Sequence, residues 1–126
     1  MSFNTKPTES ELEILQVLWE YGPQSVRFVY ENISKSKDTG YTTTLKIMQL
    51  MLDKDLLARD TSSRSHIYSA KISQDKTQNQ LLNRFINKTF RGSASKLVMQ
   101  ALGSHQPSSE ELQKIKNLID QIEKQQ

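Results

Sequence analysis

Along the first half of the chain, apolar residues recur at helical spacing three times in succession. Leu12, Leu15, Leu18 and Trp19 share one face of a segment that opens on Thr8-Glu9-Ser10-Glu11, just after Pro7. That opening is a capping box, in which the Thr and Glu side chains satisfy amides that a first helical turn leaves free. Gly22-Pro23 ends the segment, because glycine suits the left-handed position after a helix and proline cannot extend one. A second, shorter helix is expected over residues 25–33, with Val26, Val29, Tyr30 and Ile33 turned inward. A polar turn over 35–40 leads to a third helix over about 41–54. There Thr42, Lys46, Gln49 and Asp53 fall at spacings of four, three and four and so share a face. Most of the remainder of that helix is apolar: Leu45, Ile47, Met48, Leu50, Met51 and Leu52.

The period then changes. Residues 56–60 and 66–70 read as two strands joined by Thr61-Ser62-Ser63-Arg64-Ser65. Three helices and then a hairpin is the order of a winged helix-turn-helix domain. In that architecture the third helix enters the DNA major groove and the hairpin touches the flanking backbone. Beyond Ser73 the pattern is helical again. Leu81, Leu82, Phe85, Ile86 and Phe90 make a stripe that breaks at Gly92, and Leu97, Val98, Ala101 and Leu102 a short one that stops at Gly103. After Pro107 a second capping box, Ser108-Ser109-Glu110-Glu111, opens a last helix carrying Leu112, Ile115, Leu118, Ile119 and Ile122. The expected fold is mainly α with a small β-hairpin: a winged helix-turn-helix domain over 1–72 and a C-terminal helical dimerisation segment over 73–126. A segment that short buries little surface alone, so its stripes call for a partner. Pairing with a second copy in a two-fold homodimer is the preferred reading, since two-fold dimers are the commonest oligomers. Packing back onto the first domain is the alternative.

Composition narrows the class more than it names it. At 35% hydrophobic and 25% charged the 126 residues are ordinary for a globular protein. The absence of cysteine rules out disulfides and thiolate metal sites. No apolar run approaches the roughly 20 residues that span a bilayer, and residues 1–6 hold no leader-like segment. A cytoplasmic location without membrane insertion is therefore expected. The net charge of +3 is a poor guide: residues 1–72 carry nine Lys/Arg and nine Asp/Glu, and residues 73–126 carry eight and five. Any nucleic-acid reading must rest on where particular side chains point.

The third helix supplies the candidates for base readout: Thr42, Thr43, Lys46 and Gln49. Glutamine bonds adenine through two hydrogen bonds, threonine packs its methyl on thymine, and lysine reaches guanine or phosphate. The bland alternative is a capping Thr42 and a solvated face. Ser63 and Arg64, with Ser62 and His66, are placed to meet backbone or minor groove from the wing, unless they form only a polar turn in water. Arg27 either clamps a phosphate or pairs with Glu31 four residues on. Tyr41 and Tyr68 either bond a phosphate or pack at the domain edge, and Trp19 reads as core. His66 and His105 have no acidic cluster near them in sequence, so neither metal nor cofactor is expected. No nucleophile elbow, phosphate loop or paired catalytic carboxylate is present, so no enzyme activity is expected.

In order and spacing these motifs resemble the penicillinase repressor family, the BlaI/MecI/CopY group of bacterial regulators. The similar stretches are ELEILQVLWEYGP at 11–23, SVR at 25–27, YTT at 41–43, KDLLAR at 54–59, Arg64 and Tyr68 in the wing, and FINKTFRG at 85–92. The resemblance implies a homodimer that binds a double-stranded operator with inverted TACA/TGTA-like half-sites and blocks transcription. It also implies relief by a membrane sensor protease that cuts the C-terminal part. The β-lactam branch of the family has an Asn-Phe cleavage site where this chain reads Gln100-Ala101. The copper-responsive branch carries a Cys-x-Cys pair that this chain lacks. An arginine common in the third helix is Leu50 here, and a glycine common at its end is Asp55. Two other readings stay open: a winged helix used as a protein-interaction module, and a repressor released by a small molecule.

Overall fold

Three helices, α1 (Glu9–Tyr21), α2 (Val26–Ile33) and α3 (Tyr41–Asp53), lead into the antiparallel hairpin β1 (Leu57–Asp60) and β2 (Ile67–Ala70). Helices α4 (Gln74–Thr89), α5 (Ala94–Ser104) and α6 (Ser109–Lys124) follow. These elements come from a computed structural model that describes residues 6–126; residues 1–5, part of the stretch read above as holding no leader, lie outside the described residues. Contacts divide the chain into two units, the first ending at Leu81 and the second running Leu82–Gln126. No helix among the described residues is long and apolar enough to cross a membrane.

Both capping boxes form. The Thr8 and Ser108 hydroxyls accept from the amides of Glu11 and Glu111, whose carboxylates accept in return from the amides of Thr8 and Ser108. Ser25 caps α2 through the amide of Phe28 at 3.2 Å. Gly22, at φ 77, closes α1 by donating to Leu18 O at 2.9 Å, in a backbone conformation that a side chain would strain.

The core of the first unit lies where the three helices and the hairpin meet. Ile14, Leu15 and Leu18 of α1 join Val26 and Val29 of α2, Met48 and Met51 of α3, and Leu56, Leu57 and Tyr68. The buried side of α1 is centred one position away from the expected stripe: Glu11, Ile14 and Val17 are buried, whereas Leu12 and Trp19 are half-buried. The cause is that α1 packs on α2, α3 and β2 at once, so a broad arc is covered. The Trp19 indole N–H donates to Ile72 O at 3.1 Å, tying α1 to the segment that leaves the hairpin. At the hairpin, Leu57 pairs with Ala70 and Asp60 with Ile67. One residue of a third strand completes the arrangement. Gln24, between α1 and α2, exchanges both backbone hydrogen bonds with Tyr68, at 2.9 and 2.8 Å.

The end of α3 shows what Asp55 does in place of a glycine. Asp55 N donates to Leu52 O at 3.1 Å and Leu56 N to Met51 O at 2.9 Å, the bonds of a Schellman cap, with Asp55 at φ 64. A residue with a Cβ is strained there. The carboxylate finds Lys71 Nζ at 3.1 Å, but both partners are exposed, so the pair contributes little. Asp55→Gly is therefore expected to stabilise the fold by about 0.5–1 kcal/mol. Urea unfolding will show a raised midpoint at unchanged slope; a lowered midpoint would refute the strained cap.

Candidate nucleic-acid interface

Two opposite faces of α3 have opposite fates. Thr44, Met48 and Met51 are buried, while Thr42, Thr43, Lys46, Gln49, Leu50 and Asp53 are exposed. Thr44 was not singled out in the sequence; its hydroxyl donates to Gly40 O at 3.1 Å, which lets a polar side chain face the core. The reading of Thr42 as the helix cap is overturned: Gly40 is the N-cap, and no side chain bonds the first-turn amides. Those amides and the exposed hydroxyls of Thr42 and Thr43 thus share the start of the helix, where the dipole favours a negative group.

Arg27, Tyr41 and Arg64 come together. With Gln24, Ser25 and His66 they line an open cleft of about 670 Å³ between α2, the start of α3 and the wing. The Arg27 guanidinium sits 5.0 Å from the centroid of the Tyr41 ring, and Tyr41 meets Tyr30 edge-on at 5.8 Å. The alternative partner of Arg27 is also present, since Glu31 lies 4.0 Å away, with both side chains largely exposed. Ser62, Ser63, Arg64 and His66 are all exposed on the wing turn. That turn is shaped by Asp60, which accepts from the Ser62 amide at 2.9 Å, and by Ser63 Oγ, which donates to Ser65 O at 2.7 Å. The bond from Ser62 holds the Asp60 carboxyl below the usual carboxylate range. Tyr68 is elsewhere. At 1% exposure it is a core residue, and the phosphate reading of it is corrected.

The lower end of the site is fixed by a pair that the pattern did not suggest. Glu11, read only as a capping residue, also meets Lys54 Nζ at 2.7 Å. Burial alone would raise the Glu11 carboxyl pKa, but the bonds from Lys54 and Thr8 outweigh it and hold it below the ordinary value. One carboxylate thus ties the start of α1 to the end of α3. The sequence cue was available in principle, since an acid facing the core needs a cation.

In the second unit, Leu82, Phe85, Val98, Leu112, Leu118, Ile119 and Ile122 are 40–56% exposed in the single chain. Phe90, Leu97 and Ile115 are half-buried, and Phe90 meets Phe85 edge-on at 5.7 Å. Ile86 differs from the others named for dimerisation: at 9% exposure it is covered within its own chain and offers little to a partner. Gln100 and Ala101 are exposed positions on α5.

A three-helix unit with a two-stranded wing, its third helix buried on one face and exposed on the other, is a winged helix-turn-helix module. The sequence profile of the penicillinase repressor family matches residues 7–121, nearly the whole length. The chain belongs to the penicillinase repressor family, and by that membership it is a transcriptional repressor and not an enzyme. Among its relatives, a penicillinase repressor of Staphylococcus aureus is 20% identical over 115 residues, which cover 91% of each chain. A penicillinase repressor of Bacillus licheniformis is 20% identical over 90% of this chain and 89% of its own. The transcriptional regulator BlaI of Mycobacterium tuberculosis is 32% identical over 66 residues, 52% of this chain and 48% of that one.

Proposed function

We propose that the protein is a cytoplasmic homodimer that binds a two-fold DNA operator, each protomer setting the outer face of α3 into a major groove. The carrying observation is the sidedness of α3, where Thr42, Thr43, Lys46 and Gln49 stand in solvent directly behind a fully buried Met48 and Met51. A helix locked to the core by one face presents the other as a rigid surface, which is what base recognition requires. Arg27, Tyr41, Ser63 and Arg64 then face the flanking backbone from the cleft and the wing. Half-sites of the TACA/TGTA kind supply the adenines and thymines that glutamine and threonine read.

The dimer draws its support from the second unit, the core of the helical domain expected over 73–126. Helices α5 and α6 bury no residue within one chain, yet carry large apolar side chains. Large apolar side chains exposed along these helices mark an interaction site, and a self-complementary two-fold contact covers them on both copies. Relief by a membrane sensor protease that cuts the C-terminal part, in the region of Gln100 and Ala101, draws on the exposure of both residues. Their helical backbone has to unwind before an extended-substrate protease can accept it.

Gln49→Ala is expected to cost about 1–3 kcal/mol on the preferred operator and little on random DNA. The preferred site comes from selection of bound sequences out of a random pool, and affinities from fluorescence anisotropy at fixed salt. Equal losses on both DNAs would remove Gln49 from the readout.

A further inference from the structure

Leu50 is 51% exposed, although the nearest methionines on either side of it, Met48 and Met51, are fully buried. It follows Thr43 by seven residues and Lys46 by four, so it stands on the strip of α3 that carries the base-reading candidates. A leucine held in solvent leaves apolar area that favours any apolar contact. It has no donor, acceptor or charge, so it adds nothing to the grip on a phosphate. On the major-groove edges of the four base pairs, the apolar group on offer is the C5-methyl of thymine.

We infer that Leu50 is a specificity residue that reads a thymine in each half-site by packing on its C5-methyl group. The inference rests on the groove docking of α3 proposed above. The contact is directional. Turning the A·T pair around moves the methyl across the groove, away from the leucine, and a G·C pair has no methyl at all. Leu50 would thus distinguish one pair of four without a hydrogen bond, next to Lys46 and Gln49, which read by hydrogen bonding.

The test uses the full-length protein and the operator selected above, with each thymine of a half-site replaced in turn by deoxyuridine, which lacks only the methyl. One methyl is worth about fourfold in affinity per half-site and about fifteenfold when both half-sites are changed. The wild type should show that loss at the thymine that Leu50 reads, beside any that Thr42 or Thr43 read. It should also bind 5-methylcytosine there better than cytosine. Leu50→Ala should bind thymine and deoxyuridine equally at one position where the wild type discriminates, while Leu50→Met, which keeps an apolar tip, should retain the discrimination there. Thermal melts of both variants check that the fold is intact, as an exposed position predicts. If no deoxyuridine substitution weakens wild-type binding, or if Leu50→Ala discriminates at every position where the wild type does, the assignment is overturned and groove docking stands. If the protein selects no DNA sequence from the pool, the docking itself is wrong and the assignment falls with it.

Discussion

Ile119→Asp together with Ile122→Asp is expected to give a folded monomer whose operator affinity is lower by about 100- to 10,000-fold. Both isoleucines are about half exposed in one chain, so aspartate there disturbs little within a protomer. Across a two-fold interface each would place carboxylates in an apolar contact, where an unpaired charge is costly. The affinity loss follows from geometry rather than from any lost DNA contact. Two linked winged units bind their half-sites at a high effective concentration, and separated units do not. Light scattering reads the oligomeric state, and anisotropy reads the affinity. A double variant that stays dimeric would move the interface off α6.

Tyr68→Ala should cost about 3–5 kcal/mol of folding free energy, the range for truncating a buried aromatic residue. The ring is 1% exposed, and the same residue carries both backbone bonds to Gln24 and pairs with Arg59 across the hairpin. A domain of this size has only about 5–15 kcal/mol in total, so the variant sits near its unfolding threshold at 37 °C. Urea unfolding measures the cost. A loss under about 1 kcal/mol would mean that Tyr68 is not a core residue.

The sequence made the element order legible because the first unit carries local chemistry at its boundaries: a capping box, a Gly-Pro stop, a polar turn and a change of period. The outer face of α3 was legible for the same reason, since four polar side chains at helical spacing can share a face in only one way. Residues set by long-range contact were not. Tyr68 looks alike in sequence whether it bonds a phosphate or fills the core, and only the meeting of β2 with α1 and Gln24 decides. Glu11 was readable as a cap but not as the partner of Lys54, 43 positions away. Leu50 reads as core by composition, and its exposure depends on which arc of α3 meets α1, α2 and β1. In the second unit the stripes were visible, but not that Ile86 is covered by its own chain.

Four cations of the first unit already face a carboxylate: Arg27 with Glu31, Lys37 with Glu13, Lys54 with Glu11 and Lys71 with Asp55. Each carries its own counter-charge as the protein diffuses, so these four add little to any field that extends beyond a Debye length. Lys46 and Arg64 stand outside those pairs, so attraction toward a polyanion is left to the face proposed to meet it.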